Sequence, residues 1–223
     1  MDQTLVITID GPSGAGKGTL SQLLARKLGF HLLDSGALYR LVALAASRRG
    51  IDTQDEMAVS RCARDLDVVF DTGGPQVVIL LNGVDSTLAI REEQISMGAS
   101  VVAAMPQVRA ALLERQRVFL MPPGLVADGR DMGTTVFPEA PCKFFLTASA
   151  EARAERRYQQ LLAIGSPVDK QALVEDIRER DHRDQSRVTS PLRPAEDAQV
   201  IDSTSMSIQD VLAFMLEQIA THR

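Results

Sequence analysis

The sequence predicts an α/β fold built on a parallel sheet. Three observations carry that expectation. Short apolar runs rich in β-branched residues alternate with stretches of helical periodicity. A glycine-rich loop joins the first of these runs to the first helix. One stretch, Val68–Thr87, breaks the rhythm and reads as a small antiparallel sheet inserted between helices.

Thr4–Asp10 (TLVITID) is a buried strand by composition and length. Gly18–Leu28 places Leu20, Leu23, Leu24 and Leu28 on one helical face. Phe30–Leu33 is the second strand, ending at Asp34-Ser35-Gly36, and Ala37–Arg49 is the next helix. In the insertion, Val68-Val69-Phe70 runs into Asp71-Thr72-Gly73-Gly74-Pro75, then Val77–Leu81, then Asn82-Gly83, a strong hairpin signal. Leu125–Ala127 ends at Asp128-Gly129-Arg130-Asp131. Lys143–Thr147 is a further buried strand, followed by a charged helix from Ala150. Gly165-Ser166-Pro167 then turns the chain into the helix Asp169–Arg187, a helical hairpin able to swing as a lid. Val200-Ile201 is the last strand and Ser207 opens the last helix. No internal repeat or low-complexity segment is visible.

A chain of 223 residues suits one mid-sized domain or a domain with an insertion. Hydrophobic residues at 45% and charged residues at 24% support a packed core. The longest apolar runs, such as Val77–Leu81, are too short to span a bilayer, so no membrane partner is expected. The opening Met-Asp-Gln-Thr lacks the basic start and apolar stretch of a secretory signal, and a cytoplasmic protein is expected. Cys62 and Cys142 match no metal or redox spacing; reduced thiols are expected, with a single disulfide as the alternative. A net charge of −5 excludes nucleic-acid binding driven by charge alone. The cations are unusual in kind. Only Lys17, Lys27, Lys143 and Lys170 are lysines; the rest are arginines, whose planar fork fits phosphate oxygens bidentately. Codon bias explains such a composition equally well, so position has to decide.

The loop Gly11-Pro12-Ser13-Gly14-Ala15-Gly16-Lys17-Gly18-Thr19 lies between a strand and a helix. Its glycines let backbone N–H groups curl inward around an anion, and the helix offers its positive N-terminus to the same place. Lys17 reaches the β- and γ-phosphates of a nucleoside triphosphate. The usual pattern places a hydroxyl directly after the lysine to hold Mg²⁺; here Gly18 fills that place and Thr19 follows. Mg²⁺ is still expected with the triphosphate, and no protein ligand for it is assigned.

Ligands of open parallel sheets lie beyond the carboxyl ends of the strands. Arg40, after Asp34-Ser35-Gly36, and Arg130, within Asp128–Asp131, fall there and can converge on an anionic acceptor. Arg180, Asp184 and Arg187 are spaced i, i+4, i+7 and share a helical face, which on spacing alone more often means a solvated salt-bridged surface. Arg153, Arg156 and Arg157 are i, i+3, i+4 on the preceding helix. A guanine-reading Asn-Lys-x-Asp is absent, which disfavours a GTPase. A small-molecule kinase is the leading reading, and a nucleotide-dependent switch with slow hydrolysis is the alternative.

These blocks together resemble the bacterial cytidylate kinases nearly end to end. The resemblance runs through Ile9–Thr19, Leu33–Arg40, the Leu81-Asn-Gly insertion, Pro106–Phe119, Asp128–Thr134, Phe137-Pro138, Glu179–Asp184, Arg187, Pro191-Leu192 and Asp202–Thr204. The Gly-Lys-Gly-Thr ending is a trait of nucleoside monophosphate kinases generally. The resemblance implies a P-loop NTPase fold with a five-stranded parallel sheet flanked by helices, an inserted NMP-binding subdomain containing the antiparallel sheet, and a short helical lid. In one polypeptide unit it implies a core of 1–36, 107–152 and 170–223, an insertion of 37–106 and a lid of 153–169. The implied reaction moves the γ-phosphoryl group of ATP to CMP or dCMP. Nothing in the sequence demands a dimer, and a monomer is expected. By the same resemblance, Arg40, Arg130 and Arg187 hold the acceptor phosphate. Ser35, Ser100, Arg109 and Asp131 surround the cytidine, with the last three reading the base. Arg180 and Asp184 contact the sugar, and Arg153 and Arg157 close on the ATP phosphates. The expected catalytic groups are Lys17, Arg130, Asp131 and Arg187. Another P-loop kinase, acting on UMP or AMP, is the alternative within the class.

Overall fold

A computed structural model describes residues 4–71, 78–163 and 169–221. The β-branched opening run forms β1 (Leu5–Asp10), and the phosphate-type loop leads into α1 (Lys17–Leu28). Leu20 and Leu24 on the expected face of α1 are wholly buried, and Leu23 and Leu28 pack at the edge of the same core. Truncating Leu24 to Ala would cost about 2–5 kcal/mol. Then come β2 (His31–Asp34), α2 (Ser35–Arg48), α3 (Glu56–Arg64), β3 (Val68–Asp71), β4 (Val78–Leu81), β5 (Val84–Asp85), α4 (Glu93–Val102) and α5 (Pro106–Arg117). The chain continues as β6 (Gly124–Gly129), a π-helical turn Met132–Val136, β7 (Cys142–Thr147), α6 (Ala150–Ala163), α7 (Lys170–Gln185), β8 (Gln199–Asp202) and α8 (Ile208–Ala220).

The chain divides into two compact units, 1–34 with 117–223, and 35–116. The first holds a five-stranded parallel sheet in the order β2-β6-β1-β7-β8, flanked by helices. β1 is the middle strand, so both its faces are covered and all its residues from Val6 on are buried. Its register sets the end of the sheet: Ile9 stands beside Asp128, Asp10 beside Gly129, and Asp34 beside Asp128. The loops after β1 and β6 therefore leave the sheet side by side. α8 is fixed by a capping box, in which Ser207 accepts from the Asp210 N–H and the Asp210 carboxylate accepts from the Ser207 N–H.

The second unit is the insertion. β3, β4 and β5 form the expected antiparallel sheet, with Leu81 opposite Val84 across Asn82-Gly83. Asn82 and Gly83 both take positive φ, as a tight hairpin of this type requires. The Thr72–Pro75 part of the preceding turn, Val77 and the Gly165-Ser166-Pro167 turn lie outside the described residues. α2 packs chiefly on α4, where the Gly98 backbone comes close to Ala43. α5 belongs to this unit, which therefore runs through Gln116, beyond the boundary of 106 expected from the sequence. Glu56 of α3 explains part of this, because its carboxylate accepts the Gln107 N–H at 2.9 Å and caps α5. Among the described residues, no single helix is long and apolar enough to cross a membrane, and both cysteines are free and buried.

Candidate active site

The phosphate loop is shaped by close approach. A Cβ on Gly11 would lie 2.0 Å from the Leu146 carbonyl oxygen, so only glycine lets the loop leave β1 against β7. Gly16 caps α1 in the left-handed conformation, with no side-chain cap and no acidic residue in the first turn. The N-terminal N–H groups of α1 thus carry no competing carboxylate from their own helix. Lys17 is buried and donates to the Pro12 carbonyl at 2.8 Å. Burial, and after it the Arg130 charge, lowers its ammonium to about 7; Asp128, Asp10 and Asp184 oppose the shift. Arg130 therefore lies within electrostatic reach of Lys17.

Arg130 follows β6. Its Nε donates to Asp184 Oδ2 at 2.9 Å and its Nη1 to the Gly129 carbonyl at 3.2 Å. Arg187 Nη2 donates to the other carboxylate oxygen of Asp184. One carboxylate is thus shared by two guanidinium groups. Burial opposes ionisation of Asp184, but Arg130 and Arg187, with Arg180 behind them, hold its carboxyl below the usual range. Asp184 in turn keeps Arg130 charged despite burial. α7 ends at Gln185, so Arg187 lies past the helix and not on the continuous helical face expected for it. It reaches Asp184 from the turn that follows, which the Leu192 N–H closes on the Asp184 carbonyl at 2.8 Å. Arg180 is half-buried on α7, and Asp131 is buried between β6 and the π-helical turn.

Arg153 and Arg157 stand on α6 as expected. Arg153 is buried and heavily engaged. It donates to the Ala148 and Ser13 carbonyls at 3.0 Å each and to both carboxylate oxygens of Asp181. Arg156, to which no site role was assigned, donates to the Ala15 carbonyl at 3.3 Å and to Ser203. α6 therefore grips the phosphate loop through the carbonyls of Ser13 and Ala15.

The insertion carries the remaining residues expected at the site. Ser35 and Ser100 are buried, on α2 and α4. Arg109 of α5 donates to the Ala103 carbonyl at 3.1 Å and stacks over the Tyr39 ring at 5.6 Å. Tyr39 and the half-buried Arg40 are neighbours on α2. The Arg109–Tyr39 stack was not foreseen; an aromatic on an apolar helix reads as core unless its partner is known.

Sequence reading also passed over Asp10. Its carboxylate accepts the Met132 and Gly133 N–H groups, each at 2.8 Å. Burial pushes its carboxyl up to about 7, against the pull of those amides and of Lys17. Its place at the end of the first strand, directly before Gly11, was the available signal. Asp128 lies beside Gly18, its Oδ2 3.6 Å from where a Cβ would stand. Among the described residues no three His, Cys, Asp or Glu side chains cluster as a metal site.

A central strand, a glycine loop with a buried lysine, an open helix N-terminus and an arginine at the neighbouring strand end define a P-loop phosphotransferase. The chain belongs to the cytidylate kinase family, whose profile matches residues 7–221. It is 58% identical over 217 residues to the cytidylate kinase of Stutzerimonas stutzeri (strain A1501), spanning 96% of this chain and 95% of that one. It is 60% identical over 209 residues to the cytidylate kinase of Pseudomonas aeruginosa (strain LESB58), spanning 93% and 91%. The cytidylate kinase of Vibrio vulnificus (strain CMCP6) is 57% identical over 217 residues, spanning 97% and 96%.

Proposed function

We propose that this chain transfers the γ-phosphoryl group of ATP to CMP or dCMP, giving ADP and CDP or dCDP. The observation that carries the site assignment is the sharing of Asp184 by Arg130 and Arg187. The shared carboxylate holds two guanidinium groups together, a pairing that matches the fork of arginine to the oxygens of a phosphate. Arg130 Nη2 has no acceptor of its own among the described residues.

Gly11, Pro12, Ser13, Gly14, Ala15, Gly16, Lys17, Gly18 and Thr19 form the ATP phosphate cradle. An arriving triphosphate adds negative charge beside Lys17 and favours its ammonium form against the burial that opposes it. Arg157 adds charge from α6, and Arg153 serves ATP by holding the loop at Ser13. Arg40, Arg130 and Arg187 take the CMP phosphate. Ser35, Ser100, Arg109 and Asp131 surround the cytidine, the last three reading the base, and Arg180 and Asp184 serve the sugar. Mg²⁺ carried with ATP would neutralise phosphate charge when bound, and no protein ligand is assigned to it.

The CMP phosphate is ionised near neutral pH, so no general base is required. The residues act by position and charge: they align acceptor and donor phosphates and offset their repulsion. The α6–α7 hairpin excludes water, directing the phosphoryl group to CMP. The protein works as a cytoplasmic monomer without nucleic-acid or membrane partners; its net charge of −5 disfavours nucleic-acid binding driven by charge.

Initial rates with CMP, dCMP, UMP and AMP test this reading. CMP and dCMP should be phosphorylated fastest, with UMP slower because uracil differs at the exocyclic group and N3. Faster turnover of AMP would overturn the base-reading roles of Ser100, Arg109 and Asp131. ADP formation that does not rise on adding CMP would favour a hydrolytic switch.

A further inference from the structure

Asp10 is a buried carboxylate that the phosphoryl-transfer scheme does not use. It ends β1 immediately before the phosphate loop. Its two bonds, 2.8 Å each, go to the Met132 and Gly133 amides, the first two of the π-helical turn after Arg130-Asp131. The turn is drawn tightly onto the sheet: a Cβ on Gly133 would stand 2.9 Å from Thr8 Oγ1, and only glycine permits that approach. The Thr135 and Val136 N–H groups bond back to the Asp131 carbonyl at 2.9 and 3.1 Å, so the position of Asp131 follows that of the turn. Asp10 therefore ties the strand that carries the phosphate loop to the segment that carries Arg130 and Asp131.

We propose that Asp10 is a positioning residue for phosphoryl transfer, its carboxylate setting the Arg130–Asp131 segment in place relative to the Lys17 loop through the Met132 and Gly133 amides. This rests on the reading of Arg130 as an acceptor-phosphate group. Misplacing a phosphate-holding group by about 1 Å costs on the order of 100-fold in rate. A carboxylate that served stability alone would leave the kinetics of the folded protein untouched.

The test is Asp10→Asn in the full chain. Asparagine keeps the volume but offers one acceptor oxygen and sets an NH₂ group against the second amide. The expected result is a fall of about 100-fold in kcat/KM for CMP, with KM for ATP near the wild-type value and a folded protein by circular dichroism. Arg130→Ala and the double variant complete a cycle. If Asp10 acts through the Arg130–Asp131 segment, the double variant is slowed by clearly less than the two single losses combined. Additive losses overturn the proposal, as does an Asp10→Asn enzyme with wild-type kcat/KM for CMP. So does a loss that vanishes on cooling along with the loss of stability. Normal kcat/KM in Arg130→Ala would instead overturn the role given to Arg130, a separable outcome. Should Asp10→Asn fail to fold, wild-type protein labelled with ¹⁵N-glycine decides. The Gly133 amide should be strongly protected from hydrogen exchange, and exchange as fast as that of an exposed chain overturns the proposal.

Discussion

Two arginines of the sheet-bearing unit, Arg187 and Arg153, are both buried and both paired with aspartate, yet they are bonded in opposite ways. Arg153 has a carboxylate to itself: Asp181 meets it with both oxygens, and the Ser13 and Ala148 carbonyls take further N–H groups. Four of its five donors are thereby used. Arg187 shares Asp184 with Arg130, one oxygen for each. The first arrangement is balanced and belongs to the scaffold. The second divides one carboxylate between two cations, in a cluster where Asp128 and Asp10 also act on Arg130. The two pairings thus set a residue bonded to the phosphate loop apart from the one proposed above to hold the substrate, where sequence spacing treats both as arginines on charged helices.

The largest effect expected from this contrast is in Arg187→Ala. In the proposed role Arg187 is a charged donor to the acceptor phosphate, so kcat/KM for CMP should fall by about 1–3 kcal/mol or more. KM for ATP should hardly move. The variant also changes the acid limb of stability. Asp184 has its folded-state value held below its unfolded one, so its contribution is present above the unfolded value and lost as pH falls through the folded one. Without Arg187 that depression shrinks, and the acid unfolding midpoint should move to higher pH. Wild-type kinetics in Arg187→Ala would return the Asp184 cluster to the scaffold.

Arg153→Met is the smaller, opposite case. Methionine fills much of the volume but leaves the Ser13 carbonyl and Asp181 without their donor. Stability should drop by about 1–3 kcal/mol, measured by chemical denaturation. The kinetic change should appear in KM for ATP, because Ser13 belongs to the phosphate loop, and kcat/KM measured against CMP at saturating ATP should stay close to wild type. A loss confined to CMP would erase the distinction between the two arginines.

How much of this was legible beforehand depends on the range of the interactions. The strands, the antiparallel insertion and the phosphate loop rest on local signals: β-branched runs, Asn82-Gly83, and glycines around Lys17. All of these stand where the pattern placed them. Arg187 beyond the end of α7, the Arg109–Tyr39 stack and the Asp10 bonds to Met132 and Gly133 depend on chain segments brought together by folding. Asp10 and Gly133 are separated by 123 residues, and no periodicity links them. α3 was also passed over, although Asp55 is a sound N-cap whose carboxylate accepts the Ala58 N–H at 2.9 Å. The π-helical turn has no sequence signature, because its form follows from the Asp10 anchor and the bonds to the Asp131 carbonyl.

The smallest effect sharpens the comparison from the other side. Arg178 and Glu151 also join α6 to α7, with N–O at 2.5 Å, but both side chains are more than half exposed. Hydrogen bonds and the Arg178 charge lower the Glu151 carboxyl, yet water and salt screen such a pair, and ordering two long side chains offsets what attraction remains. Glu151→Gln should therefore leave the thermal midpoint, KM for ATP and kcat/KM for CMP at wild-type values, at low and at high salt alike. The pair is as short as many buried ones, so distance alone would rank it with Arg153–Asp181. A clear loss of stability in Glu151→Gln, reversed by salt, would mean that charge pairing between the two helices matters wherever it occurs. The scaffold role of Arg153 would then rest on the pairing itself and not on burial and the carbonyls of the phosphate loop.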